Sequence, residues 1–323
     1  MDQQRLVERY ERVRSSVPAR VKLIAVSKTR SVEEIHALYA LGQRAFGENY
    51  PQELRAKAPL LPPDIEWHFI GHLQRSNVKH VAGLAQLIHG VDSERLMDEL
   101  SKRARAQGRT QDILLQVHIA QEDTKHGFTP DELRALMEGS DMAAKWPGLR
   151  IRGLMGMATN TPDRARISGE FAGLAHLFND IVASRVFPDR SFTELSMGMT
   201  GDMDLAIAAG STGQAVRLIF EALWTSAADP ADPALLAELA GALDVDPQAW
   251  SRQPVKDALR AGTQQAIAAG VFGVPTLRVG DELFWGADAT DFAKAYLADP
   301  GILGTAEMRR VATLPVGASR IPI

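Results

Sequence analysis

Short apolar runs closed by polar pairs recur along the first two thirds of the chain, and each is followed by a stretch with helical spacing. The first run is Val21-Lys22-Leu23-Ile24-Ala25-Val26-Ser27-Lys28. Its apolar, β-branched character predicts a strand buried on both faces of a parallel sheet. Ser31-Val32-Glu33-Glu34 then supplies a capping box, Ile35, Leu38 and Tyr39 share one helical face, and Gly42 ends the helix. Further strands are predicted over 45–47, 66–71, 87–91, 113–119, 149–155 and 193–199. A helix opening at Asp92-Ser93 buries Leu96, Met97 and Leu100; another starts at Thr129-Pro130-Asp131-Glu132, and a third runs from about Asp202 to Ala209.

Strand and helix alternate in this way over residues 1–212 with no hairpin signal between them, which predicts an α/β fold with a parallel sheet. Regular alternation favours a (β/α)8-type barrel over a doubly wound sheet, and no GxGxxG follows the first strand. An eighth unit does not follow. Residues 213–224 have a 3.6-residue apolar period and read as a helix, so the barrel lacks its eighth strand and helix. Its first and seventh strands are left with unpaired edges.

Composition narrows the function classes. At 323 residues the chain is long for one domain, and a boundary is expected at 212/213. A net charge of −4 without Lys/Arg runs argues against nucleic-acid and anionic-membrane binding. No apolar run approaches the ~20 residues of a membrane span, and Leu6, Val7, Tyr10 and Val13 mark an amphipathic first helix, so a cytoplasmic monomer is expected. The absence of cysteine excludes disulfides, thiolate metal sites and dithiol redox chemistry. Histidines 68, 72, 80 and 89 fall on different strands and loops without HExxH spacing; they read as packed or solvated, with no metal site expected. Lys28 stands out because ligands of such folds gather at the carboxyl ends of the strands, where it is delivered.

Several segments carry a resemblance. Ala25-Val26-Ser27-Lys28-Thr29, Phe46-Gly47-Glu48-Asn49-Tyr50, Trp67-His68-Phe69-Ile70-Gly71-His72-Leu73-Gln74, Lys125-His126-Gly127, Gly153-Leu154-Met155 and Leu195-Ser196-Met197-Gly198-Met199 resemble the pyridoxal phosphate homeostasis protein family, relatives of the alanine-racemase barrel. The resemblance covers about residues 5–212. It implies a barrel that holds pyridoxal 5′-phosphate (PLP) as a Schiff base on Lys28, with a role in vitamin B6 homeostasis and no established turnover. A lysine must be neutral to attack an aldehyde, and partial burial at a barrel mouth is expected to lower its pKa. Ser196, Gly198 and Thr200 are expected at the phosphate, Asn49 at the ring substituents and Met155 on the ring face. Residues 216–219 offer a substitute eighth strand that would bring Arg217 near the phosphate. Arg75-Ser76-Asn77 and His118 depart from the family pattern, which usually has an Asn-Lys pair and an asparagine there.

From about residue 215 to 316 a second resemblance takes over. Gly270-Val271-Phe272-Gly273-Val274-Pro275-Thr276, Glu282-Leu283-Phe284-Trp285-Gly286 and Glu307-Met308-Arg309-Arg310 are similar to the carboxyl half of 2-hydroxychromene-2-carboxylate isomerases, which are thioredoxin-like relatives of kappa-class glutathione transferases. The resemblance implies a cis-proline at Pro275, with Val274 facing glutathione, and a helical insertion over 230–268. The family's opening segment with its catalytic serine has no counterpart, so glutathione is the less favoured ligand. A PLP-binding regulator is the preferred reading over a glutathione-dependent isomerase, a racemase or an inactive fusion. A racemase needs an acid opposite the lysine, and tyrosines 10, 39, 50 and 296 offer no clear candidate.

Overall fold

The structure, a computed structural model, describes residues 3–122, 126–138, 141–184, 186–187, 191–220, 229, 232–243, 245–273, 276–306, 308 and 310, with the side chains of 3, 212–220 and 287 excepted. Seven strands, β1 (Ala25–Val26), β2 (Ala45–Glu48), β3 (Glu66–Phe69), β4 (Leu87–Val91), β5 (Gln111–Val117), β6 (Leu149–Gly156) and β7 (Glu194–Ser196), pair side by side in sequence order. All six pairings are parallel. A parallel sheet in sequence order needs a crossover after each strand. These are supplied in turn by helices that follow α1 (Gln3–Ser16): α2 (Val32–Ala40), α3 (Pro51–Lys57), α4 (Val78–Val81), α5 (Glu94–Ala106), α6 (Pro130–Glu138) with α7 (Met142–Lys145), and α8 (Arg164–Ser184). The capping box at Ser31 and Glu34 forms as its sequence predicts.

Apolar residues from both layers fill the space between strands and helices. Phe46, Phe69, Ile88 and Ile113 from the sheet meet Leu54, Leu96, Leu100 and Leu174 from the helices, and none of these is more than 1% exposed. Burying such side chains contributes about 1.5–3 kcal/mol each, so this layer holds the strand ends in place.

Among the described residues no strand takes the place of strand 8 in the sheet. β1 and β7 are its two terminal strands and do not pair, so the barrel is open. The consequence is visible in β1. The expected strand over 21–28 is reduced to Ala25–Val26, and Val26, expected to be buried, is 51% exposed. A strand loses regular ladder geometry and cover when one neighbour is missing. The substitute strand at 216–219 does not form. Those residues continue α9 (Met203–Phe220), so the helix expected at 202–209 runs without a break into the one expected from 213, of which residues 221–224 lie outside the described residues. The side chain of Arg217 lies outside the described residues.

The chain divides into two compact units, Met1–Val245 and Asp246–Ile323, and position 212/213 falls inside α9. The first unit also holds α10 (Pro233–Leu243). The second contains α11 (Gln253–Ala268), an antiparallel hairpin of β8 (Thr276–Val279) and β9 (Glu282–Trp285), and α12 (Thr290–Ala298). Phe284 is its buried anchor, packed against Phe292 and Tyr296. Val274 and Pro275 lie outside the described residues. Among the described residues no helix is long and apolar enough to cross a membrane.

Candidate functional site

Because all seven strands run parallel, their carboxyl ends share one rim, and the residues just past those ends form the candidate site. Lys28 sits there on a turn closed by a hydrogen bond from Arg30 N–H to the Ser27 carbonyl (3.0 Å). Its neighbour Thr29 adopts a φ of 62°, a left-handed conformation that is costly for a β-branched residue. Something must hold it. The Thr29 N–H donates to Glu53 Oε2 (2.8 Å), and the same carboxylate oxygen accepts from Lys57 Nζ (2.6 Å). Lys57 Nζ also donates to the Ser27 carbonyl (2.8 Å) and to Glu48 Oε1 (2.7 Å), which accepts from Ser27 Oγ (2.8 Å) as well.

Glu48 is fully buried at the end of β2, and only this network makes its charge tolerable there. Burial opposes the charge on Lys57, but its hydrogen bonds to Glu48 and Glu53 outweigh that and hold its pKa above the usual lysine value. The Lys57 hydrogen bond in turn keeps Glu53 below the usual carboxylate range. Lys28 itself is exposed rather than partly buried, and among the described residues no further strand pairs with β1 beside it. Among the described residues Lys28 has no hydrogen-bond or ion-pair partner. Lys28 stands out in the sequence and Glu48 falls within a motif, whereas Lys57 belongs to no motif and is signalled only by its i,i+4 spacing from Glu53 on α3.

Asn49 follows β2 directly, and its Oδ1 is buried without a hydrogen-bond partner. Further round the rim, three inward side chains form a relay. His68 Nδ1 lies 2.9 Å from His89 Nε2, and His89 Nδ1 lies 2.8 Å from Ser196 Oγ. Burial pushes His68 down to about 4 and His89 down to about 3, so both rings are neutral at neutral pH. His68 Nε2 is buried without a partner. Assigned by hydrogen-bond accounting, the His68 proton is best spent on Nδ1, since a buried orphan N–H is rarer than an orphan lone pair. His68 then donates to His89, and His89 donates to Ser196 Oγ. The Ser196 hydroxyl proton is thereby left free to be donated elsewhere.

Met155 is the register partner of Ser196 across β6 and β7, and it is buried with Leu87 and Leu114. Gly198 has φ +84°, and a Cβ there would sit 2.6 Å from that of Ala206, so the loop folds closely over the start of α9. Asp202 Oδ1 accepts the Met199 N–H in that loop, while Thr200 is exposed. Of the four tyrosines, Tyr10 donates to Gln43 and Tyr39 to Asp64, and Tyr296 belongs to the second unit. Tyr50 is exposed beside Asn49. Two hollows, lined by residues such as Asp98 and Trp146 and by residues such as His118 and Leu174, contain neither Lys28 nor Ser196.

Residues 1–218 match the family described as alanine racemase, N-terminal domain, and residues 160–298 match the DSBA-like thioredoxin domain. A pyridoxal phosphate homeostasis protein of Pasteurella multocida is 38% identical over 195 residues, which are 59% of this chain and 82% of that protein. The structure of PipY from Synechococcus elongatus solved without PLP superposes with a TM-score of 0.59 at 36% identity, covering 64% of this chain and 94% of that one. The same protein with PLP bound gives 0.57 at 35% identity, with the same coverage.

Proposed function

Because the chain belongs to the alanine racemase N-terminal domain family, and within it to the pyridoxal phosphate homeostasis proteins, we propose that it binds PLP at the carboxyl rim of its parallel sheet. On this reading it serves vitamin B6 homeostasis in the cytoplasm as a holder of the cofactor. The observation that carries the proposal is the contrast between Lys28 and its surroundings. Four side chains, Ser27, Glu48, Glu53 and Lys57, are committed to one turn, while the Lys28 amine on that turn has no partner among the described residues.

The residues present fit the group. Lys28 would supply the amine for the PLP aldehyde, and it stands exposed on the rim without an ion-pair partner among the described residues. The Asn49 Oδ1 orphan is an acceptor in need of a donor. Ser196, oriented by His89, presents its hydroxyl proton to an anion, and Gly198 and Thr200 lie in the loop that would supply backbone N–H groups. Met155 adds an apolar wall beside Ser196. PLP, when bound, supplies an aldehyde and an electron-withdrawing ring. The neutral His68–His89 pair keeps the Ser196 proton outward without placing a second titrating charge beneath the site.

The proposal is tested by mixing the full chain with PLP, removing free PLP by gel filtration and reading the retained chromophore. The wild type retains it and Lys28→Ala does not. A wild type that elutes colourless refutes PLP binding, and a Lys28→Ala variant that retains as much as the wild type refutes the role of the lysine.

A further inference from the structure

We propose that His72, Asp92 and His126 form a binding site for one divalent transition-metal ion. The three residues stand on the same rim, at the carboxyl ends of three neighbouring strands: His72 past β3, Asp92 directly after β4 and His126 in the loop after β5. Their donor atoms all lie within 4.8 Å of one another. His72 Nδ1 is 3.3 Å from Asp92 Oδ2, and the His72 and His126 rings are stacked at 4.4 Å with planes 23° apart.

The backbone beneath them is built for this convergence. A Cβ on Gly71 would lie 2.3 Å from the Asn49 carbonyl, and one on Gly90 would lie 2.8 Å from the Gly71 carbonyl. Only glycine lets these strand ends come so close. The loop carrying His126 is folded back on its own strand, since Gln116 Nε2 donates to the His126 carbonyl (2.6 Å) and Phe128 N–H to the Gln116 carbonyl (2.8 Å). Asp92 Oδ1 accepts from Ser93 Oγ (3.0 Å), which turns Oδ2 toward His72. Such outer partners orient metal-binding carboxylates.

Two imidazoles and one carboxylate are a borderline N/O donor set that suits Zn²⁺, Fe²⁺ or Co²⁺ rather than Mg²⁺ or Ca²⁺. Metal–ligand bonds of about 2.0–2.2 Å require the donors to draw in by roughly an ångström, and both histidines are exposed enough to move. An ordinary surface pair between His72 and Asp92 would contribute only about 0–1 kcal/mol and would give His126 no reason to lie over His72. The ion clips together the ends of β3, β4 and β5, with its remaining positions open to water. Sequence spacing hides the set, because the three residues become neighbours only through parallel strand order. The site shares no residue with those assigned to PLP.

The test uses the full chain, stripped with a chelator and free of PLP, titrated with Co²⁺ by visible absorption and with Zn²⁺ by calorimetry. One equivalent binds. Asp92→Asn and His126→Ser each weaken binding at least about tenfold, since even an outer partner is worth that much. His36→Gln, elsewhere on the surface, leaves binding unchanged. His126→Ser keeps the backbone carbonyl that accepts from Gln116 and gives up only an exposed ring stacked on His72, so it keeps the fold even if Asp92→Asn does not. Absence of saturable binding, or binding that His126→Ser leaves intact, overturns the proposal.

Discussion

Replacing Lys57 by methionine removes the only cation that the described contacts bring to Glu48 while keeping a side chain of similar length. Glu48 has no side-chain exposure and Lys57 only 11%, so the carboxylate left behind cannot be reached by water without opening the sheet. Breaking a buried pair by deleting one partner costs about 3–5 kcal/mol, and the loss of the Lys57 bonds to the Ser27 carbonyl and Glu53 adds to that penalty. We therefore expect Lys57→Met to lose about 3 kcal/mol or more in urea unfolding followed by circular dichroism. The double variant Glu48→Gln, Lys57→Met removes the stranded charge and recovers at least about 1 kcal/mol of that loss, because a neutral amide is cheaper to bury. A single variant within about 0.5 kcal/mol of wild type, the range of ordinary surface substitutions, would refute the reasoning. So would a double variant less stable than Lys57→Met alone.

The buried histidines predict a pH dependence. Their folded pKa values of about 4 and about 3 lie below the ordinary 6.5, so the unfolded chain binds protons that the folded chain refuses. Stability is at its full value above pH 6.5 and falls as the pH drops toward 4, by at most about 1.4 kcal/mol per pH unit per histidine. Urea midpoints measured between pH 7 and 5 check this; His89→Gln flattens the slope, and a flat wild-type profile contradicts it. Gly71→Ala forces a Cβ to 2.3 Å from the Asn49 carbonyl and costs about 1–3 kcal/mol, read from the thermal midpoint. Ser196→Ala weakens PLP retention by about tenfold through one lost hydrogen bond to an anion and, by orphaning the buried His89 N–H, costs about 1–3 kcal/mol in urea unfolding. Equal retention would remove Ser196 from the site.

How far the sequence carried depended on whether a feature was local. The capping box at Ser31, the apolar runs of β2 to β7 and the loss of the eighth strand all follow from patterns within a few residues, and they are the features the structure reproduces. Features set by neighbours in space were not legible. The exposure of Val26 goes with the place of β1 at the end of the sheet among the described residues, and the Glu48–Lys57 pair joins β2 to α3 across a buried interior. The His68–His89–Ser196 relay links β3, β4 and β7, whose positions are 107 residues apart at the widest step. The sequence leaves histidines 68 and 89 as packed or solvated; the structure buries both, and burial is what depresses their pKa values. The spacing over 202–209 and 213–224 predicts two separate helices, yet the backbone of α9 runs through the step between them without a break.

The most direct measurement of the account is to incubate the full chain with PLP, reduce with borohydride, digest and map the modified peptide by mass spectrometry. The account predicts one pyridoxyl adduct, on Lys28, that is lost in Lys28→Ala and not transferred to Lys22 or Lys57. Label spread over several surface lysines, or none on Lys28, would contradict it.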